Sequence, residues 1–279
     1  LKKDILVYPI YLKSRTDVVK IKPIMDVHYG AKTSDLKAFK EYIKDRDEHT
    51  YFFTNGDLWD SIYFKDKRFK PSGHDNTDEE SPIDIEVNEM VKLLSPIKDR
   101  LICIGHGNHE ETIVKNCHTN MSKRLADGLG VPFLGYSFWF RLLIRRGKEP
   151  EGDTVRSVDT SKVDFFCSHG FGGGTRTEGG SVTKYSKFAD RFLCDVFVVG
   201  HDHRKQYVRY PLLGITGDKK VRLTSKTRIV CLGGSWKKSY SDSTAATWEE
   251  SKGFPPSEIG GIAIEIKPKE SGLKISVTM

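Results

Sequence analysis

Residues 195–203 read Asp195-Val196-Phe197-Val198-Val199-Gly200-His201-Asp202-His203, four apolar residues that run into two histidines flanking an aspartate. A short apolar run closed by a turn signal suits a buried strand, so ionisable side chains crowd the point where the chain leaves the core. Taken alone, a His-x-His in such a turn is usually solvated or bonded to backbone. Its weight comes from four other runs that end the same way. VVKIKPIMDVHYG ends in Asp26 and His28, TYFFTNGDLWD in Gly56, Asp57 and Asp60, RLICIGHGNHE in Asn108 and His109, and VDFFCSHG in His169.

Helix-like segments separate these runs. Thr33 to Glu48 carries a Ser or Thr cap signal and apolar Leu36, Phe39, Tyr42 and Ile43 at helical spacing. A second helix is predicted from the Ser81 cap and Pro82 at its first position to a halt near Ser95-Pro96. A third spans Glu110 to a closing Gly128 or Gly130. Strands alternating with helices predict an α/β or layered mixed-sheet domain. Residues 64–80 have the polar, Pro- and Gly-containing composition of a surface excursion, and the glycine cluster Gly170 to Gly180 reads as a loop directly after His169. After Arg204 come β-like segments around TRIVCLGG and GGIAIEIKP, joined by an irregular connection over 236–258. Nothing between them reads as a linker, so a single domain over 1–279 with insertions near 64–80 and 236–258 is expected.

With 37% hydrophobic and 30% charged residues in 279, and no low-complexity tract, the chain has the composition of a globular protein able to bury a substantial core. The apolar runs are far shorter than a membrane span requires and the N-terminus lacks a secretory apolar region, so no membrane partner and a cytoplasmic location are expected. Five cysteines, odd in number and set mostly within apolar runs, predict reduced core thiols. A formal charge of +7 points mildly to an anionic partner.

In open α/β sheets ligands sit beyond the carboxyl ends of the strands. Mixed oxygen and nitrogen donors delivered to that edge suit transition-metal ions such as Mn, Fe or Zn better than magnesium, which prefers oxygen alone. Asp26-Val27-His28, Gly56-Asp57, Gly107-Asn108-His109-Glu110, His169-Gly170 and Gly200-His201-Asp202-His203 resemble, in order, the five motifs of the calcineurin-like metallophosphoesterase superfamily.

That resemblance, which covers residues 21–205, implies a layered β-sandwich flanked by helices with a dinuclear metal site at the C-terminal ends of the strands. It implies that Asp26, His28 and His203 hold one divalent ion, that Asn108, His169 and His201 hold the other, and that Asp57 bridges them, with Mn as the expected metal and Fe or Zn as alternatives. Two such ions about 3.5–4 Å apart clamp phosphate oxygens and lower the pKa of a water. By the same resemblance His109 is the general acid that protonates the leaving oxygen, and Asp60 is the carboxylate that orients it. Asp202 is expected to face solvent or to stand behind the ligands. Arg176 and Lys184, in and after the glycine cluster, are candidate grips for a non-reacting phosphate. His49, His74, His106 and His118 match no ligand position.

The superfamily contains phosphomonoesterases, protein phosphatases, phosphodiesterases and nucleases. The sequence Gly56-Asp57-Leu58-Trp59-Asp60-Ser61 departs from the GDxVDRG of the protein serine/threonine phosphatases and looks closer to the Mre11/SbcD-like nuclease branch. Aromatics interleaved with basic residues in WDSIYFKDKRFKP and RKQYVRY agree with a DNA or RNA substrate. The expected activity is therefore hydrolysis of a nucleic-acid or nucleotide phosphodiester. The alternatives are a phosphomonoesterase acting on a nucleotide, small molecule or phosphoprotein, and a catalytically silent binding scaffold.

Overall fold

A computed structural model describes residues 5–14, 16–61, 81–147, 160–175, 177–218, 220–241, 244, 246–269 and 272–279. In chain order the elements are β1 (Leu6–Leu12), β2 (Val19–Ile24), α1 (Leu36–Lys44), β3 (Thr50–Thr54), α2 (Pro82–Leu94), a 3-10 turn over Ser95–Arg100, β4 (Ile104–Gly105), α3 (Asn108–Cys117), α4 (Met121–Leu129), β5 (Phe133–Gly135), β6 (Ser137–Arg146), β7 (Thr160–Ser168), α5 (Gly180–Ala189), β8 (Val196–Val199), β9 (Lys205–Thr216), β10 (Arg222–Gly233), α6 (Trp248–Lys252), β11 (Ala263–Lys269) and β12 (Gly272–Thr278).

Two sheets face one another. Six strands in the order β1-β6-β7-β8-β10-β9 form one, and four in the order β12-β11-β2-β3 form the other. Between them lies a core to which both contribute, with Phe53 and Ile21 from one side meeting Phe138, Phe140, Phe165 and Val198 from the other. A second core under α1, α2 and α4 covers the outer face of the four-stranded sheet, and a third under α5 covers β7, β8 and β10. The architecture is thus the layered α/β sandwich flanked by helices that the sequence implies. Because β2 pairs parallel with β3, and β7, β8 and β10 run parallel, the carboxyl ends of these strands gather at one edge. Burial on both sides explains why β3 and β8 read as unbroken apolar runs.

Several boundaries differ from expectation. α1 is shorter than Thr33–Glu48, because the Asp35 carboxylate, and not Thr33 or Ser34, accepts the N–H of Ala38 at 3.0 Å, and the chain leaves helical geometry at Asp45. The predicted Glu110–Gly130 helix is two helices: His118 adopts a left-handed φ of 55° that ends α3, and Asn120 caps α4 through the N–H of Lys123. α4 closes at Gly130 rather than Gly128. The second helix starts after Ser81 as expected and continues past Ser95 only as the 3-10 turn. Helix α5 was hidden behind the glycine cluster, whose last member is its first residue. Among its described residues the 236–258 connection is irregular apart from α6, whereas 64–80 lies outside the described residues. All five cysteines are free and only Cys117 is not buried. Among the described residues no helix is long and apolar enough to cross a membrane.

Candidate metal centre

The loops after β2, β3, β7 and β8, together with the start of α3, bring all seven expected ligands to one edge of the sandwich. Donor atoms of Asp26, His28 and His203 lie within 4.8 Å of one another, and so do those of Asp57, His169 and His201. Asn108 joins the second set, with its Oδ1 3.0 Å from His169 Nε2 and 2.7 Å from His201 Nδ1.

Backbone geometry explains how closely spaced residues share one side. Asp26, His28, Asp57, His201 and His203 all have φ between 48° and 71°, the left-handed region that side-chain-bearing residues avoid at a cost of about 1–2 kcal/mol each. An extended Asp-x-His or His-x-His would also place both outer side chains on one side, but here the curl brings them inward over the strand ends. The conformations are held by bonds across the sheet edge: Asp26 N–H donates to the Gly56 carbonyl and His28 N–H to that of Asp57, both at 3.1 Å. Such strain clusters at functional sites. Glycines keep the approach open. A Cβ on Gly107 would fall 2.2 Å from Asp57 Oδ1, and one on Gly200 would fall 2.7 Å from Asp26 Oδ2.

The hydrogen bonds fix which ring atoms face inward. His169 Nδ1 donates to the carbonyl of Asn55 at 2.8 Å, so in the neutral ring its Nε2 carries a lone pair; that atom lies 3.1 Å from Asp57 Oδ2. His201 Nε2 donates to the Gly172 carbonyl at 2.6 Å, leaving Nδ1 as the lone-pair atom toward Asn108. Four acceptors therefore converge with no donor among them, an arrangement that needs a cation. Without a metal the cation is a proton: despite burial, which opposes it, the charge of Asp57 and its bond raise His169 to about 10. On the other side His28 Nδ1 donates to Asp60 Oδ1 at 3.0 Å, and burial pushes His28 down to about 3, so its ring is neutral with Nε2 facing His203 Nε2 at 3.0 Å. This donor set, with nitrogen and carboxylate ligands and oriented second partners, fits a pair of divalent transition ions.

His109 is buried at the start of α3, where its N–H donates to Asp57 Oδ1 at 2.9 Å. Its Nε2 lies 3.9 Å from Asp57 Oδ2, beside the cluster. The expected His109–Asp60 dyad takes a different form. His109 Nδ1 bonds the backbone carbonyl of Asp60, while the Asp60 carboxylate lies 3.9 Å from that nitrogen and serves His28 instead. Burial works against charge on Asp60, yet the His28 bond brings it down to about 2.

Asp202 does not face solvent. Its Oδ1 accepts Lys184 Nζ at 2.9 Å and Tyr185 Oη at 3.1 Å, and Lys184 also reaches the carbonyls of Phe171 and Gly173. Lys184 therefore braces the glycine loop rather than reaching over the ligands. Arg176 lies outside the described residues, as does His74. His106 is a packed residue between Ser122 and Glu111, consistent with its exclusion from the ligands.

Two contributors carried no assigned role in the sequence. Glu110, fully buried, accepts the N–H groups of Gly107, Asp57 and Leu58 and so shapes the loop that presents Asp57. Burial, with Asp57 adding to it, raises its carboxyl to about 7. Asn55 orients His169 through its carbonyl and ties its own side chain to the Ser168 carbonyl at 2.9 Å. Glu110 was legible as the last residue of GNHE; Asn55 had only its place beside Gly56-Asp57.

No protein-family model matches the chain, and no curated protein does. Among solved structures it is similar to a metallophosphoesterase from Sphaerobacter thermophilus, at 12% identity and a TM-score of 0.40 over 94% of this chain and 89% of that one. Vacuolar Protein Sorting 29 from Cryptosporidium parvum aligns at 14% identity and a TM-score of 0.37, covering 94% and 97%. A protein serine/threonine phosphatase from Saccharomyces cerevisiae aligns at 12% and 0.36, covering 98% and 82%.

Proposed function

We propose that the chain is a dinuclear metal-dependent phosphoesterase and that its substrates are phosphodiesters of nucleic acid or nucleotides. The observation that carries the first part is the set of inward lone pairs on His169, His201 and His28, each fixed by a donor bond on the opposite ring nitrogen. Asp26, His28 and His203 would hold one divalent ion, Asn108, His169 and His201 the other, and Asp57 both. When bound, such a pair neutralises phosphoryl oxygens and lowers the pKa of a water.

The chain's own residues do the rest. Asp57 is steadied by the His109 N–H on Oδ1, which leaves Oδ2 toward the cluster. His109 holds a proton at Nε2 when charged and delivers it to the departing oxygen; its Nδ1 bond to the Asp60 carbonyl sets the ring for that task. Asp60 keeps His28 aimed by accepting its Nδ1 proton, and burial keeps that ring neutral. Support for a diester rather than a monoester comes from the net charge of +7 and from the absence of the GDxVDRG arginine in the second motif. Manganese is the ion to load first.

The test is a substrate panel with manganese-loaded protein: an aryl phosphomonoester, an aryl phosphodiester, single- and double-stranded DNA, and RNA, each with wild type and His109→Ala. Turnover of diesters or nucleic acid above the monoester, lost in the variant, is expected. Efficient monoester cleavage with none of the diesters overturns the substrate class, and full metal loading without turnover of any ester overturns the activity.

A further inference from the structure

The segment from Trp236 to Phe254 returns to the donor cluster from two directions and carries aromatic rings that folding leaves uncovered. At its start the Trp236 N–H donates to the Asp26 carbonyl at 3.0 Å. Lys237 Nζ lies 3.9 Å from Asp60 Oδ1 and 3.4 Å from Glu249 Oε1, so a single ammonium joins the carboxylate behind His28 to α6. Next to Glu249 on that helix is Trp248. From the other direction His201 bonds the Gly172 carbonyl, and two residues further a Cβ on Gly174 would lie 3.3 Å from the Phe254 ring. Phe254 stacks on Trp248 with centroids 5.6 Å apart and planes at 20°.

Trp248 is 54% exposed, whereas Trp59 and Trp236 are buried. Tyr240, whose hydroxyl donates to the Phe254 carbonyl at 2.9 Å, and Phe171 of the glycine loop are also exposed. Here one face is taken by Phe254, and the indole stands in water on a helix tied through Glu249 and Lys237 to Asp60 behind the donor cluster. Lys252 on the same helix is exposed, whereas Lys238 is paired with Asp35 at 3.6 Å. An open aromatic face is the surface on which the bases of unpaired nucleotides stack.

We propose that Trp248, backed by Phe254, is the base-stacking platform of this site, and that it takes the nucleobase attached to the phosphodiester held at the donor cluster. It rests on the phosphodiesterase reading and narrows it to substrates with an unstacked base: nucleotide diesters and single-stranded nucleic acid. A base within a duplex has its faces covered by its neighbours and cannot lie on the indole.

Two p-nitrophenyl diesters test this with manganese-loaded protein: adenosine 5′-(p-nitrophenyl phosphate) and the matching 1-O-methyl ribose ester, which lacks only the base. Stacking of one base is worth about 5- to 150-fold, so wild type is expected to favour the adenosine ester by that ratio in kcat/KM, expressed in KM. Trp248→Ala is expected to bring the two esters to similar kcat/KM, and Trp248→Phe to restore most of the preference. Equal turnover of the two esters by wild type, or a preference that survives Trp248→Ala, overturns the platform and leaves the diesterase reading standing. If neither ester is cleaved, the diesterase reading fails, and the platform is decided by fluorescence. Saturable quenching by adenosine 5′-monophosphate in wild type but not in Trp248→Phe upholds it, and no quenching in either overturns it.

Discussion

The Asp60 carboxylate sits 3.0 Å from Nδ1 of His28 and 3.9 Å from Nδ1 of His109, so it orients a candidate ligand and not the candidate acid. His109 is set by the Asp60 main chain instead. A carbonyl fixes the tautomer of an imidazole as a carboxylate does, but it brings no full negative charge to favour the imidazolium.

Replacing Asp60 by Asn should therefore act on metal affinity first. Loss of an outer partner to a ligating histidine typically weakens binding about 10–100-fold. Calorimetric titration with manganese is expected to show this loss for Asp60→Asn. An unchanged affinity with a shifted acidic limb in the pH–rate profile would return Asp60 to the role of acid partner.

His109→Ala is expected to keep its metals and lose about 10²–10⁴-fold in rate. The loss should be largest for substrates with poor leaving groups, which depend most on protonation. Comparing p-nitrophenyl and alkyl esters checks it; equal losses on both would remove His109 from the acid role.

In metal-free protein the folded state holds a proton on His169 up to about pH 10, against an ordinary histidine value of 6.5. A group raised on folding contributes stability that is complete below its unfolded value and is lost as pH rises through the folded one. Glu110, raised to about 7, acts in the same direction over a lower window that begins at its ordinary value of 4.5. The melting temperature of EDTA-treated protein is thus expected to fall between pH 7 and 10. Manganese bound in place of the His169 proton would flatten that slope. A metal-free melting temperature constant across the window would show that His169 is neutral.

Gly107→Ala places a methyl group 2.2 Å from Asp57 Oδ1 and 2.4 Å from its backbone nitrogen, contacts that cannot be met without moving the loop. The variant should lose metal binding more completely than Asp60→Asn. Metal content by mass spectrometry after manganese loading measures it, and wild-type content would show that the loop yields.

The donor set was legible because each strand ends in a residue type that a buried turn has little other use for; His201 and His203 after β8 illustrate this. The partners of those donors were less legible. His28 and His109 compete for Asp60 at the scale of an ångström, which sequence spacing does not carry. The left-handed backbone at Asp26 and His28 is held by tertiary bonds to the Gly56 and Asp57 carbonyls, which spacing does not show. Likewise the break at His118 depends on a φ that glycine would have advertised and histidine conceals. Helix α5 went unseen because its first turn follows a glycine-rich stretch, and glycine ordinarily argues against a helix. Lys184 looked like a phosphate grip from its place after the glycine cluster, and its bond to Asp202 is a tertiary contact that spacing does not carry.

The most direct test is a crystal of the manganese-loaded protein examined by anomalous scattering. Two manganese peaks are expected, one among Asp26, His28 and His203, the other among Asn108, His169 and His201, with an Asp57 carboxylate touching both. A map with no manganese at these residues, or with Asp57 in contact with neither ion, would contradict the dinuclear site on which the proposed chemistry depends.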